Sequence, residues 1–461
     1  MDSFIFDSNT PVCLPIQADA ALIRSLLTGY AGKNTGKIRL SESRENCITV
    51  GEGEPLALDG SSYAFRVTAN GATVVGADYP SLMNGFAAFL ERIGFDRSPR
   101  EPGTKPARAV PCGEERGKPA LAVRMVHLCV FPDDNLSFLR KCVRACGMAK
   151  YTHIVLEFWG MLQYDCMKEL SWEFAYTKEQ LRPIIREANA MGMEVIPMFN
   201  HYGHASACRE INGKHVVLDQ NPEYGYLFDS YGWIWNLHEA EVHALHRAIR
   251  SELIELCGAG SYFHIGCDEA YRMGSDGAMA AEFCAYVNAI QKEMSAVGRR
   301  CILWGDMLLD KQRFRGEKQY YSANSTAAVA EKLLCDLDKN VILADWQYDV
   351  TGEAWKSAKL LKDAGFDVLC CSWYGNGNIH SAVQTAAEHE MYGYMHTTWH
   401  QLFEHFPDML YAGKAAYLGK PDAEAAALSR FYAAATARAV APSEGVYENA
   451  GWSGKMTGPG L

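Results

Sequence analysis

The stretch Tyr176–Ala205, YTKEQLRPIIREANAMGMEVIPMFNHYGHA, changes periodicity partway along its length. From Thr177 to Ala190 the apolar residues Leu181, Ile184, Ile185 and Ala188 recur at helical spacing. Gly192 then stands where a helix C-terminus commonly needs a glycine. Met193–Phe199 is a short apolar run, the form a strand takes when both its faces are buried. This helix-to-strand unit repeats. Further apolar runs begin near Leu121, Tyr151, Tyr262, Cys301, Val341, Phe366 and Met391, with helical stretches between them. Eight such units in series predict a (β/α)8 barrel; an open doubly wound sheet is the alternative, and the regularity favours closure.

Upstream, the pattern is mixed. Residues 19–32 have helical apolar spacing and a glycine stop, and residues 61–78 alternate around Asn70-Gly71, a strong hairpin signal. These features predict a small α/β accessory domain over residues 1–100. Residues 101–120 are rich in Pro, Gly and charge and read as a linker. The barrel is expected over 121–420, and one more helix with a Gly-rich tail over 421–461.

Composition narrows the function. The net charge is −11 without a basic block, which argues against a nucleic-acid partner. No apolar run reaches the length of a membrane span, and the first residues lack an export signal. The 15 cysteines are odd in number and scattered through apolar segments, as expected of reduced, packed thiols in a cytoplasmic protein. No CxxC pair with zinc spacing and no phosphate-binding loop is present, so neither a metal nor a cofactor is expected.

Barrel enzymes carry their chemistry at the C-terminal ends of the strands. There the fourth strand runs into Asp268-Glu269, within YFHIGCDEA (262–270). Two adjacent carboxylates at the end of an apolar strand are costly unless used. Tryptophans stand at four successive strand ends: Trp304, Trp346, Trp373 and Trp399. Any one indole could simply cap the barrel, but barrel interiors favour branched aliphatics, and a set of four suits the apolar face of a sugar. Glycoside cleavage needs a proton donor and an anion near the developing oxocarbenium ion. Glu269 would be the donor and Asp268 would stay ionised. Neighbouring strand residues point to opposite faces, so the two converge only if the chain leaves strand geometry after Gly266. They stand too close to flank a sugar from both sides, which points to the substrate-assisted route, where a 2-acetamido group is the nucleophile.

FHIGCDEA resembles the catalytic signature of glycoside hydrolase family 20, the β-N-acetylhexosaminidases. The segment Tyr176–Ala205 is similar to that family's third strand and Gly-His turn, and the order of elements over residues 121–420 matches. The resemblance implies an exo-acting retaining enzyme that removes terminal β-linked N-acetylglucosamine or N-acetylgalactosamine from an oligosaccharide or glycoconjugate. It makes Glu269 the acid/base, Asp268 the partner of the acetamido nitrogen, and Tyr374 the holder of the acetamido carbonyl. Trp346 and Trp399, with either Trp304 or Trp373, would wall the pocket, and Arg124 would bind ring hydroxyls. His201, His204 and His215 are candidates for the histidine that supports the acid, with His204 in the Gly-His turn. Where the family usually carries acids, this chain has Asn200, Asn376 and Gln401, the last two on the side expected to meet O4 and O6. A homodimer is left open. Two other readings stand beside this one: a two-carboxylate glycosidase pairing the acids with Asp306 or Asp349, and a sugar-binding homologue without activity.

Overall fold

The computed structural model describes residues 2–440 except 7–9, 33–38, 43–44, 97–102, 104–106, 133, 207–216, 318 and 400–401. Its amino-terminal part holds strands β1 (Ser3–Ile5), β2 (Pro11–Leu14), β3 (Arg39–Glu42), β4 (Cys47–Gly51), β5 (Tyr63–Thr68), β6 (Gly71–Gly76), β7 (Gly94–Phe95), β8 (Arg108–Pro111) and β9 (Gly113–Gly117). Helices α1 (Ala20–Ala31) and α2 (Tyr79–Glu91) pack with them. Six strands form one sheet in the order β3-β2-β4-β6-β5-β9, and β1-β8-β7 form another. The β5–β6 hairpin turns at Asn70-Gly71, with Thr68 opposite Gly71. Asp19 caps α1 by accepting from the amides of Ala21 and Leu22.

The expected linker is partly ordered structure. Residues 108–117 form β8 and β9, and β9 runs along β5 as the edge of the larger sheet. Its side chains are polar because they ion-pair across the edge: Glu114 meets Arg66 at 2.8 Å, and Glu115 meets Arg92 at 2.8 Å. A strand held this way has no apolar alternation to read.

The barrel strands are β10 (Val123–Cys129), β11 (His153–Glu157), β12 (Glu194–Met198), β13 (Tyr262–Gly266), β14 (Arg300–Trp304), β15 (Ile342–Trp346), β16 (Asp367–Ser372) and β17 (Gly393–Thr397). All pair in parallel, and β17 closes on β10 with Val123 beside Gly393. The helices are α3 (Leu136–Met148), α4 (Lys178–Ala190), α5 (Val217–Gln220), α6 (Ala240–Cys257), α7 (Gly277–Ala296), α8 (Ala327–Asp336), α9 (Lys356–Asp363), α10 (Asn376–Glu388), α11 (Leu402–Leu418), α12 (Ala423–Ala427) and α13 (Ser429–Val440). Thr177 and Gln180 make a capping box at the start of α4.

Each strand divides its residues between two cores. Met125, Val155, Ile196, Ile302, Ile342, Leu369 and Met395 fill the barrel interior, with Trp304 and Trp346 toward its C-terminal mouth. Their neighbours, such as Val126, Ile154, Val195 and Leu343, join the outer core with the helices. The expected terminal helix is two, α12 and α13, separated at Leu428. α13 lies so close to α1 that a Cβ on Gly29 would stand 1.7 Å from the Ala439 carbonyl oxygen. Arg144 ties this corner together, donating to the Val440 carbonyl at 2.8 Å and pairing with Glu187 at 2.8 Å. Among the described residues no helix is long and apolar enough to cross a membrane.

Candidate active site

Strand β13 ends in a bend that the sequence required. Gly266, Cys267 and Glu269 all have positive φ, +66°, +73° and +52°. Glycine takes this conformation freely; the other two are strained positions that surrounding contacts must hold. Trp233 Nε1 donates to the Glu269 carbonyl at 2.9 Å, and the Glu269 amide donates to Asp306 Oδ2 at 2.9 Å. Gly266 also admits the loop from β12, because a Cβ there would lie 2.0 Å from Asn200 Oδ1. Gly203 does the same from the other side, where a Cβ would meet the Asp268 carbonyl oxygen at 1.9 Å.

This bend brings Asp268 and Glu269 to one histidine. His204 Nε2 lies 3.0 Å from Glu269 Oε2 and 3.4 Å from Asp268 Oδ2. Its ring packs on Trp233 with centroids 4.2 Å apart, and its own φ is +55°. Asp268 is nearly buried, with 6% of its side chain exposed, whereas Glu269 retains 27%. One acid is thus enclosed, and the other reaches the mouth. Of the other two histidine candidates, His201 is fully buried, with Nδ1 2.7 Å from the Phe199 carbonyl oxygen. Burial pushes its pKa well below the usual value, which keeps it neutral. His215 lies outside the described residues.

Asp306 sits behind the pair. It is buried, and Asn324 Nδ2 donates to its Oδ2 at 2.8 Å. Burial, reinforced by the Asp268 charge, raises its pKa from 3.8 to about 7. It braces the Glu269 backbone rather than facing a sugar from the far side. Asp349 is exposed beyond β15.

The tryptophans separate into floor and wall. Trp304 is fully buried and packs against Trp399 at 5.5 Å, His264 at 4.5 Å and His127 at 5.9 Å, so it forms the floor. Trp346 and Trp373 stand above it, joined through Tyr348 at 5.3 and 5.4 Å. Trp399 donates its indole N–H to the Tyr348 hydroxyl at 2.9 Å. Tyr374 leans edge-on against Trp373 at 4.6 Å and is 44% exposed at the rim. Asn376 opens α10 and is half-buried; Gln401 lies outside the described residues.

One expectation is corrected. Arg124 is not in the pocket. Within β10, Met125 faces the interior while Arg124 faces out, near the strand's N-terminal end. Its guanidinium donates to the carbonyls of Leu121 and Lys150 at 2.6 and 2.8 Å and lies over the Tyr417 ring. Its pKa is lowered by burial to about 10. Asn200, which stands where the family usually carries an acid, is buried below the mouth. Its Nδ2 donates to Glu157 Oε1 at 2.6 Å, and His127 Nε2 lies 2.9 Å from the other Glu157 oxygen. His127, Cys129 and Glu157 have the ligand types and spacing for a metal ion, with ligand atoms within 4.8 Å of one another. They already serve as hydrogen-bond partners to one another, with Cys129 Sγ donating to Glu157 Oε2 at 3.6 Å.

Several site residues lay beyond sequence reasoning. Trp233 belongs to the long segment between β12 and α6, and Tyr348, Tyr271 and Tyr321 sit in loops without a motif. The signal available for the last three was an aromatic residue shortly after a barrel strand or in the loop beyond it.

Comparison with known proteins identifies the family and the fold. The family model for the glycosyl hydrolase family 20 catalytic domain matches residues 153–412, more than half of the chain. Hexosaminidase D of Homo sapiens is 27% identical over 188 residues, covering 40% of this chain and 36% of that protein. The Bos taurus hexosaminidase D is 27% identical over 171 residues, 34% of this chain and 47% of the relative. Each match therefore spans less than half of the relative's length. Among solved structures, the Streptomyces plicatus N-acetyl-β-hexosaminidase superposes with a TM-score of 0.64 at 16% identity, covering 98% of this chain and 93% of that one. The family 20 exo-β-N-acetylglucosaminidase of Vibrio harveyi, in complex with N-acetylglucosamine, gives 0.65 at 14%, with 95% and 75% covered. The structures share the fold, the family model spans most of the barrel, and the chain belongs to glycosyl hydrolase family 20.

Proposed function

We propose that this chain is a retaining, exo-acting β-N-acetylhexosaminidase that uses the substrate's own acetamido group as nucleophile. The observation that carries the reading is the shared histidine: Asp268 and Glu269 lie side by side against His204 Nε2, at 3.4 and 3.0 Å. Carboxylates arranged this way cannot attack a sugar from opposite faces, and Asp306 is buried behind them. A single exposed acid with an enclosed partner fits substrate assistance.

In the first step the Glu269 carboxyl gives its proton to the glycosidic oxygen as the C1–O bond breaks. The acetamido carbonyl oxygen bonds to C1, and Asp268 accepts from the nitrogen of the resulting oxazolinium ion. In the second step water attacks C1, Glu269 takes its proton, and the ring opens to a sugar of retained β-configuration. Tyr374 is assigned to the acetamido carbonyl, and Trp346, Trp373 and Trp399 to the pocket walls over the Trp304 floor. Excluding water there strengthens each charge interaction. With Arg124 elsewhere, the ring hydroxyls fall to other groups. Asn376 and Gln401 remain the candidates for O4 and O6, and being neutral they admit N-acetylgalactosamine or an anionic O6 substituent. The odd number of cysteines and their scatter through apolar segments support a reducing, cytoplasmic setting.

Release of nitrophenol from the aryl β-glycosides of N-acetylglucosamine, N-acetylgalactosamine and glucose tests the mechanism. Cleavage of an acetamido substrate with the glucoside untouched is expected. Comparable cleavage of the glucoside would overturn substrate assistance. Glu269→Gln should lower turnover of the acetamido aryl substrate by orders of magnitude while leaving sugar binding measurable.

A further inference from the structure

Glu269 is tied to three other parts of the chain. Its amide donates to Asp306 Oδ2, just beyond β14, at 2.9 Å. Its carboxyl group meets His204 Nε2, beyond β12, at 3.0 Å. Its carbonyl accepts from Trp233 Nε1 at 2.9 Å, in addition to the Tyr271 amide at 2.7 Å. Trp233 takes part in two of these ties, because its ring also packs on His204 with centroids 4.2 Å apart. A closed circuit results: from the Glu269 carboxyl to His204, from the imidazole to the indole, and from the indole N–H back to the Glu269 carbonyl.

The turn that carries Trp233 is itself firmly bonded. Between α5 and α6, Asp229 Oδ1 accepts from the amides of Trp233 and Ile234 at 2.9 and 3.2 Å. The Asp229 amide donates to the Ile234 carbonyl at 2.8 Å, and Gly232 supplies a φ of +73°. This turn pairs antiparallel with the histidine segment. Gly203 lies opposite Ile234, and the Ala205 amide donates to the Trp233 carbonyl at 3.1 Å. The indole, 9% exposed, is therefore fixed by its own backbone beside the ring it packs on.

We infer that Trp233 is a positioning residue for the acid: it locks the Glu269 carbonyl and the His204 ring into one unit, which keeps the carboxyl group aimed at the glycosidic oxygen. The inference rests on the proposed acid role of Glu269. A non-glycine residue at positive φ persists only where its surroundings hold it, and any rotation there swings the carboxyl group away. A misplacement of about 1 Å can cost about a hundredfold in rate.

Proton donation matters most when the leaving group is basic. The test therefore compares kcat/KM on the 4-nitrophenyl and 2,4-dinitrophenyl β-glycosides of whichever N-acetylhexosamine the wild type cleaves; dinitrophenol leaves with little help from an acid. Both rates are taken on one preparation of each variant, so their ratio does not depend on how much of the protein is folded. Trp233→Phe keeps a ring against His204 and removes the N–H, with the Tyr271 amide still on the carbonyl. Trp233→Ala removes both ties. The expected losses on the nitrophenyl substrate are about tenfold for Phe and about a hundredfold for Ala, each at least about threefold smaller on the dinitrophenyl substrate. Glu269→Gln should show the same bias more strongly. Equal losses on both substrates, or no loss in either Trp233 variant, overturn the positioning role while Glu269→Gln still discriminates. Equal losses for Glu269→Gln itself, or a wild type that cleaves neither substrate, overturn the acid role and this inference with it.

Discussion

Asp306 illustrates how one buried side chain can hold the backbone of the proposed acid, Glu269, from behind. Its Oδ2 accepts from both the Glu269 amide and Asn324, which holds Glu269 at φ +52°. The cost appears in its raised pKa of about 7 against an ordinary 3.8. A carboxyl that prefers to be protonated in the folded state favours folding at low pH. This contribution is complete below about pH 4, declines as pH rises to about 7, and is flat above. Asp306→Asn should remove that slope, so a plot of melting temperature against pH across this window should be flatter than in the parent. An unchanged slope would assign it to another buried acid, such as Asp345, whose pKa is raised by burial to about 6. The substitution also places an amide donor near Asn324, so turnover should fall several-fold with KM little altered.

At the scale of elements, the site depends on two loops passing almost within backbone contact. The segment after β12 carries His204, and the segment after β13 carries the acid pair; Gly203 and Gly266 permit their approach. Gly203→Ala should force these loops apart, because its Cβ would stand 1.9 Å from a backbone oxygen that cannot rotate away. The expected result is a stability loss of about 1–3 kcal/mol by chemical denaturation, with activity on aryl glycosides falling more than stability alone explains. His204, Asp268 and Glu269 were visible in the sequence as types and order. A break in the strand after Gly266 was expected as the condition for the acids to converge, but their meeting on His204 was not legible, because it depends on positive φ at Cys267 and Glu269, and neither residue type announces that conformation.

For the whole molecule, α1 and α13, the first and last helices among the described residues, meet on one side of the barrel. α13 rests on α1, α3 and α11, and Arg144 joins the carbonyl of Val440 to Ser25 and Glu187. Gly29→Ala would place a methyl group 1.7 Å from the Ala439 carbonyl oxygen. It should lower stability by about 1–3 kcal/mol and leave aryl glycoside turnover unchanged below the unfolding transition, since this corner lies outside the barrel mouth. Loss of turnover without loss of stability would show that the terminal helix acts on the site.

The barrel was legible because parallel strands buried on both faces read as apolar runs, and several of the helices between them close with a glycine. The β5–β6 hairpin was legible from Asn70-Gly71, and the acid pair from its place at the end of an apolar strand. Sequence by itself therefore determined the order of the barrel's strands and helices, the strands' C-terminal ends and the acids that crown the fourth barrel strand. Only tertiary structure decided which way a side chain faces and what it meets. Arg124 turns outward because strand residues alternate, and the closed barrel makes its face the helix side. Strand β9 is polar because its partners are ions on the sheet edge, so it carries no periodic signal. Trp233 reaches the Glu269 carbonyl, and Asp306 its amide, across loops that only the closed barrel brings together. Periodicity records local burial, whereas contacts between distant segments depend on backbone paths that no short stretch of sequence encodes.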